Sequence, residues 1–208
     1  MRLLFLLFLS SFAFTEEIYV TERLFCPITT FDISNDETPI GTVTKQILSL
    51  GTSYYIEDLD STILASASTR FFSWGTITDI ENPDACKICS FEENLWKLPP
   101  WTEYRILNAQ NETILIAELN IFGTTFSLFE PNDPTHIMAT ISRPLIHIFR
   151  DSWTIDILDK PNIERLIDPN LLTLLAVYQT DKDNRIRFWS DIHTAFGQEF
   201  EQYDGRRL

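Results

Sequence analysis

The chain has few glycines and few basic residues, and these shortages exclude several classes of protein. Six glycines in 208 residues exclude a collagen-like or glycine-rich repeat. Sixteen Lys and Arg residues stand against 30 Asp and Glu residues, which gives a formal net charge of −14. Because phosphate backbones are bound by clustered Lys and Arg, and these are scattered, we expect no nucleic-acid binding. With 44% hydrophobic residues, the sequence predicts one globular domain with a real core.

Long apolar runs are absent except at the amino terminus. Residues 1–15 begin with Met1 and the basic Arg2, continue with an apolar run over Leu3–Leu9 and end in small and polar residues. This order is typical of a secretory signal peptide, and Ala13 and Thr15 suit cleavage before Glu16. An anchor or a buried first strand is the alternative, but the run is too short for an anchor. We therefore expect a secreted protein, or one in a lumenal or periplasmic compartment.

Short strand-like runs with turn residues between them fill most of the chain. They predict a mainly β domain over 16–189, followed by a polar tail over 190–208 that forms a short helix or a loose end. The segment 82–101 is predicted to be a long loop. The predicted strands are Ile18–Val20, the hairpins 54–67, 104–117 and 125–141, the runs 71–74 and 75–78, the pair 146–149 with 153–157, and a last strand Arg185–Trp189.

The segment Ile167–Tyr178 predicts one helix. Asp168 is a good N-cap, and Pro169 suits the first helical position, where an N–H is not needed. Thr173 is the one polar residue in the last two turns, so the helix is apolar on every side. Such a helix must be surrounded by protein or lipid, and this one is far too short to span a bilayer. We therefore predict that a helix over Asp168–Gln179 is enclosed by the strands.

Three segments together resemble a known family. They are YYIEDLDSTILASAS at 54–68, its echo YRILNAQNETILIAELN at 104–120, and WTIDI at 153–157 with IDPNLLTLLAVYQTD at 167–181. They resemble the tubby C-terminal-domain-like superfamily, and within it the LURP-one-related and phospholipid scramblase-like branch, over residues 40–189. The resemblance implies a closed antiparallel β-barrel that encloses one apolar C-terminal helix. The basic cluster of tubby-type phosphoinositide sites has no counterpart in this sequence.

The three cysteines leave several interpretations open. Cys86 and Cys89 form a Cys-x-x-Cys motif, and Cys26 stands alone. In an oxidising compartment a structural disulfide among the three, or inert thiols, is favoured. A redox pair needs a cysteine at the start of a helix in a βαβ unit, and a zinc site needs four ligands, so both are weaker alternatives. We expect no cofactor and no metal.

The three histidines indicate no catalytic motif. His136 and His147 fall on predicted strands and His193 falls in the tail, and no Gly-x-Ser-x-Gly or His-Glu-x-x-His sequence is present. His147 alternates with two isoleucines, so we expect it to face water. A catalytic triad whose residues come together only in the folded chain remains an alternative, because triad residues need not be close in sequence.

Three polar or aromatic features have other interpretations. The run Asp181–Asn184 is predicted to be a turn between the helix and the last strand, because it lacks the Gly and Glu of an EF-hand calcium loop. Trp96 and Trp101 flank two prolines; they form either an exposed interaction loop or, as we prefer, a plug at the barrel mouth. Asn111 begins an Asn-Glu-Thr glycosylation sequence in a predicted turn.

The sequence as a whole favours an exported, non-enzymatic β-barrel that acts as a binding or interaction module. Its partner is an unknown protein or lipid, and no integral membrane segment is expected after removal of the signal peptide. A lipid-binding or scramblase-like protein is one alternative, and the net charge predicts that it would fail on anionic membranes. A hydrolase or thiol redox enzyme, whose residues meet only in the fold, is the other.

Overall fold

Twelve antiparallel strands form a closed barrel around a long C-terminal helix. The computed structural model describes residues 16–36, 38–48, 51–70, 76–94, 96, 102–146 and 150–204. The predicted signal peptide and the predicted strand 71–74 lie outside them. The elements are β1 (Glu16–Glu22), β2 (Thr30–Asn35), β3 (Thr38–Leu48), β4 (Gly51–Asp58), β5 (Ile63–Thr69), β6 (Ile77–Glu81), β7 (Lys87–Glu93), β8 (Thr102–Asn108), β9 (Thr113–Leu119), β10 (Thr125–Phe129), β11 (Ala139–Ser142), β12 (Ser152–Ile157), α1 (Lys160–Leu166), a 3-10 turn (Pro169–Leu171) and α2 (Leu172–Asp204).

The barrel is a simple meander that closes on itself. Every strand pairs with its neighbours in the sequence, and β1 pairs with β12, so that Ile18 lies opposite Ile155. Closure leaves no strand edge unpaired, which removes the usual site of edge-to-edge aggregation. The predicted closed antiparallel barrel is confirmed.

Four of the hairpins use the same five-residue turn. The side chains of Asp58, Asn82, Asn108 and Asn120 each accept hydrogen bonds from backbone N–H groups two to five residues later. The fourth residue of each turn has a positive φ; these residues are Ser61, Ala85, Asn111 and Gly123. Asp and Asn favour this geometry because a short side chain can replace a backbone acceptor. The hairpins predicted at 54–67 and 104–117 are therefore confirmed and share this turn, whereas the strands of the predicted hairpin 125–141 also pair but are joined by the longer connection 130–138.

The interior of the barrel is lined by alternate residues of each strand, as expected for a sheet with one buried face. Large side chains, among them Phe31, Phe126 and Trp153, fill part of the interior. Small ones, such as Ala67 and Ala117, leave space for the helix. The barrel is therefore a packed core around α2.

The start of α2 agrees with the prediction. The Asp168 side chain accepts a hydrogen bond from the Asn170 N–H, and Pro169 occupies the first position of the 3-10 turn. Leu171 to Tyr178 are all at most 5% exposed. Thr173, the one polar residue among them, donates its hydroxyl hydrogen to the Asn170 carbonyl at 2.5 Å, so its buried hydroxyl has a partner. The predicted enclosure of the apolar helix is confirmed.

The end of α2 differs from the prediction. Arg185–Trp189, predicted to be a last strand, and Asp181–Asn184, predicted to be a turn, both belong to α2, and the helix continues to Asp204. The closed barrel offers no edge to a thirteenth strand, and a helix that is already formed gains one hydrogen bond for each residue it adds. In the part of the chain that the structure describes, no helix combines the length and apolar content needed to cross a bilayer.

Two predicted strand positions near β11 and β12 were also wrong. The strand predicted from His136 begins at Ala139 instead, and His136 lies in the preceding loop. The predicted partner of β12 was the run 146–149, but the neighbours of β12 are β1 and β11. Ile146 lies outside the strands, and residues 147–149 are not among those described.

Candidate functional site

The two ends of the barrel differ because strand connections alternate between them. The base is the end that carries α1, the start of α2 and the connections 36–37, 59–62, 82–86, 109–112 and 130–138. The mouth is the end through which α2 leaves the barrel. It carries the connections 23–29, 49–50, 70–76, 94–101, 120–124 and 143–151. The mouth contains two groups of side chains that are candidates for a function, and the base contains one.

A ring of polar contacts, here called the collar, holds α2 at the mouth. It is formed by Gln179–Asp183 of α2 and the barrel residues that they contact. Asp181 pairs with Lys45 of β3 and accepts a hydrogen bond from the Tyr54 hydroxyl at 3.0 Å. Asp181 and Lys45 have 10% and 14% of their side chains exposed, so this pair is largely shielded from water. The contact fixes α2 against β3 and β4.

Arg143 makes the second part of the collar. Its guanidinium pairs with Asp183 of α2 and with Asp151 at 3.3 Å, and it donates to the Gly123 carbonyl at 2.9 Å. It also lies over the ring of Trp153, with 4.5 Å between the guanidinium carbon and the ring centroid. A buried guanidinium is stable here because carboxylates, a carbonyl and an aromatic face surround it. This group joins α2 to the connections 120–124 and 143–151.

The remaining collar contacts lie on the side of β7, β8 and β12. Lys182 donates to Glu93 at 2.5 Å and to the Tyr104 hydroxyl at 3.2 Å, and Trp153 donates to the Thr180 hydroxyl at 2.9 Å. Burial raises the pKa of Tyr104 well above its ordinary value, so the phenol stays neutral. The collar therefore consists of groups that satisfy one another, which indicates a structural role.

The outer surface of the mouth carries exposed apolar side chains. We define the crown as Phe25, Trp96, Phe122, Leu145 and Ile146. Phe25 and Trp96 are 102% and 94% exposed, and the other three are more than two-thirds exposed. At the base, the most exposed large apolar side chain among those described is Leu59, at 67%. The crown residues come from the connections 23–29, 143–151, 120–124 and 94–101, which follow one another around the barrel, so they form an arc.

The connections at the two ends also differ in composition. Those at the mouth contain eight aromatic, five basic and one acidic residue. Those at the base, together with residues 158–171, contain no aromatic residue, two basic residues and ten acidic residues. The connections of the base are therefore rich in acidic residues, whereas most aromatic residues outside the strands and helices fall in the connections of the mouth.

The base contains a cleft of about 160 Å³ beside α1. His136 and Asp159 meet there, with 2.9 Å between the His136 Nε2 and an Asp159 carboxylate oxygen. The lining also includes Glu130, Asp133, Met138 and Asn162, and contains no Ser, Thr or Cys. Asp159 is the N-cap of α1, and its hydrogen bonds with Asn162, followed by the contact with His136, lower its pKa. The role of Asp159 as the N-cap of α1 therefore explains its position and its lowered pKa without a catalytic function.

The cysteines do not form a redox site in the structure. All three are free thiols: Cys26 and Cys86 are exposed, and Cys89 faces the barrel interior from β7. Burial raises the pKa of Cys89 to about 12, so this thiol is protonated at neutral pH and unreactive. A disulfide in the exported protein remains a prediction. Across the described residues, no group of three or more His, Cys, Asp and Glu side chains is arranged to hold a metal ion.

The other predicted site residues are distributed between the two ends. Trp96 is exposed at the mouth, so it does not plug the barrel; Trp101 lies outside the described residues. Asn111 is exposed at the base, where its side chain accepts a hydrogen bond from Lys87 at 2.7 Å, and its glycosylation remains a prediction. His147 is not described, and His193 lies on α2.

Sequence reasoning missed the collar and most of the crown. The collar residues Lys45, Arg143 and Asp181 are separated by up to 136 positions, and no local pattern connects them. The aromatic residues in five of the six connections at the mouth were visible in the sequence. That these connections lie at the same end of the barrel could be deduced only from the strand order.

Comparisons with known proteins support the fold and do not identify a family or a function. No protein-family model matches the chain, and no curated protein matches it in sequence. Among solved structures, it is similar to the X-ray structure of an Arabidopsis thaliana protein, AT5G01750, with a TM-score of 0.54 and 10% sequence identity. The alignment covers 80% of this chain and 91% of the plant protein. At this identity the similarity shows a shared fold, which fits the tubby-like barrel that the sequence resembles.

Proposed function

We propose that the chain is an exported, non-enzymatic binding module of the LURP-one-related, tubby-like type that docks through the crown. The observation that carries the proposal is the arc of exposed aromatic and aliphatic side chains on four neighbouring loops of the mouth. Exposed apolar side chains that cluster on one surface of a monomer often mark the site where a partner binds. Aromatic side chains supply much of the affinity at binding surfaces.

The interior of the barrel does not compete with the crown as a binding site. The apolar segment of α2 fills it, and the collar groups close the mouth by pairing with one another. A ligand would have to displace the helix and leave buried charges such as Arg143 without partners, which is costly. Docking at the outer surface requires neither change.

The enzyme alternative has less support. The basal cleft joins a histidine to a carboxylate, which is part of a hydrolytic site, but its lining provides no serine, threonine or cysteine for the histidine to activate. The thiol alternative requires a thiolate of lowered pKa, and the pKa of Cys89 is raised. Both observations favour binding over catalysis.

The binding of bis-ANS, a dye that fluoresces on apolar surfaces, tests the crown. We expect the folded chain to enhance the fluorescence, and the double variant W96S and F122S to lose most of the enhancement. The matched control is Leu59→Ser, because Leu59 at the base is 67% exposed and Phe122 is 69% exposed. Equal dye binding by all three proteins, each with an unchanged thermal unfolding curve, would contradict the proposal.

Export has a separate test. Expressed in eukaryotic cells, the full-length chain should appear in the medium with Glu16 as its first residue, as peptide mass spectrometry can show. Retention in the cytosol with Met1 intact would overturn the exported part of the proposal and leave the crown unaffected.

A further inference from the structure

We propose that two copies of the chain form an antiparallel pair through the part of α2 that lies beyond the collar. This inference goes beyond the proposed function, because it concerns a surface other than the crown and a partner that is a second copy of the chain. Residues 184–188 are exposed around more than one full helical turn, so α2 has left the barrel by that point. The helix continues from there to Asp204, which adds about 24 Å to its length.

The sequence of this outer segment, 189–204, places all of its large apolar residues on one face of the helix. They recur at intervals of three, four, four and three residues, which at about 100° per residue confines them to a sector of about 80°. We call these residues the stripe: Trp189, Ile192, Phe196, Phe200 and Tyr203. The opposite face carries polar residues such as Thr194 and Gln198. A sector this narrow fits a single partner helix, unlike the buried start of α2, which is apolar on all sides.

The outer segment also needs a partner because its own helix-forming tendency is low. Gly197 costs about 1 kcal/mol relative to Ala in a helix interior, and the aromatic residues are weaker helix formers than Ala or Leu. Sixteen residues of this composition form a marginal helix in water unless one face is packed. Burial of the stripe supplies that packing.

The spacing of the stripe makes it complementary to itself. Its intervals read the same in both directions about Phe196, so an antiparallel pair centred there brings every stripe residue opposite another. Trp189 then lies opposite Tyr203 of the second copy, and Ile192 lies opposite Phe200. A contact that uses the same patch on both copies is the usual arrangement in a two-fold symmetric dimer.

The position of α2 inside the barrel excludes a parallel pair. Twelve strands about 4.7 Å apart give the barrel a circumference of at least about 56 Å and a diameter of at least about 18 Å. Packed helices lie only about 8–10 Å apart, so two parallel helices would force their barrels into the same space. In the antiparallel pair the barrels lie at opposite ends, with about 40 Å between the two Asp183 residues. The crowns therefore stay accessible to another partner.

The size of the seam sets the expected affinity. Four residues of each stripe are aromatic, and an aromatic residue buries about 150–250 Å² when it is enclosed. The pair therefore buries on the order of 1,000 Å², which is near the lower limit for a specific interface. We expect a dimer with a dissociation constant in the micromolar range.

Sedimentation equilibrium of the purified chain over a range of concentrations tests the pairing. We expect a monomer–dimer equilibrium. Phe196→Glu should raise the dissociation constant at least about tenfold, because the two introduced charges face each other at the centre of the seam. Gln198→Glu is the matched control: it adds the same charge to the opposite face of the helix and should leave the constant unchanged. A mixture of F196E and F196K should dimerise again.

Disulfide cross-linking tests the antiparallel direction. With the exposed Cys26 and Cys86 replaced by Ser, a mixture of W189C and Y203C should form a cross-linked dimer on mild oxidation. Each of these two variants alone should stay uncross-linked. Cross-linking of Y203C with itself, and not with W189C, would show a parallel pair and overturn the arrangement.

The remaining outcomes separate this inference from the proposed function. A monomer at every concentration overturns the pairing, as does undiminished dimerisation of F196E or failure of the F196E and F196K mixture to dimerise. The crown variant W96S and F122S should dimerise like the wild type, and a loss of its dimerisation would assign the contact to the crown instead. Loss of dye binding in that variant with dimerisation intact supports both proposals.

Discussion

Helix α2 has two adjacent segments that the barrel holds in different ways. Leu171–Tyr178 is apolar on all sides and is held by burial, which depends on area and little on direction. Gln179–Asp183 carries polar side chains that pair with specific barrel residues. The apolar segment therefore provides most of the stability, and the collar fixes how far the helix extends and how it is rotated.

This difference explains why the collar sits at the mouth. Pairs at the centre of the barrel would have to overcome the full cost of removing charge from water, whereas the mouth is partly solvated. The side chains of Lys182 and Asp183 are 22% and 21% exposed, and those of Leu172 to Val177 are nearly inaccessible. Each type of residue is thus placed where its burial costs least.

The largest expected effect is at Leu175, which is fully buried. Leu175→Asp should prevent folding, because it places an unpaired charge in the core. Leu175→Ala should lower the free energy of unfolding by about 2–5 kcal/mol through lost burial and a residual cavity. Urea denaturation measures both effects, with Leu59→Ala as the exposed control. Equal stability of L175A and the control would show that the apolar segment is not central.

A smaller loss is expected in the collar. Asp181→Asn keeps the shape of the side chain but removes the charge that faces Lys45, and should cost about 1–3 kcal/mol. Asp60→Asn, in an exposed turn at the base, is the matched control and should change stability by less than about 0.5 kcal/mol. Because Asp181 is shielded, added salt should alter its effect little. A cost as large as that of L175A would contradict the proposed division between the two segments.

The smallest effect is confined to alkaline pH. Burial raises the pKa of Tyr54, Tyr104 and Tyr178 in the folded state above the ordinary value of about 10. The stability that comes from keeping these phenols neutral is complete below pH about 10 and is lost as the pH rises toward their folded-state pKa values. Phenolate absorbance should therefore show these tyrosines ionising as the protein unfolds. Their ionisation in the native protein near pH 10 would refute this.

The sequence predicted the parts of the fold that have local causes. The N-cap at Asp168 and the apolar residues on every side of the helix were sufficient to place it inside the barrel. The hairpins at 54–67 and 104–117 were predictable because turn residues, Asp58 and Asn108 among them, separate their strand-like runs. Arg185–Trp189 was predicted wrongly because its alternation of basic and apolar residues imitates a strand. The helix continues there because barrel closure leaves no partner for a strand.

The candidate site could be predicted only in fragments. Trp96 was identified as one of an aromatic pair, but whether it plugs the mouth or faces water depends on how the barrel ends are filled. Phe25 and Phe122 carry no local signal that separates them from core residues. Their common position follows from strand order, which is a property of the whole chain.

Hydrogen exchange of α2 tests most directly whether the helix is enclosed by the barrel. We expect the amides of Leu174–Tyr178 to exchange as slowly as the most protected strand amides, because the barrel must unfold to expose them. The amides of Arg185–Phe188, beyond the collar, should exchange much faster. Fast exchange of Leu174–Tyr178 while the strands stay protected would show that the helix leaves the barrel without unfolding it, and would contradict the account.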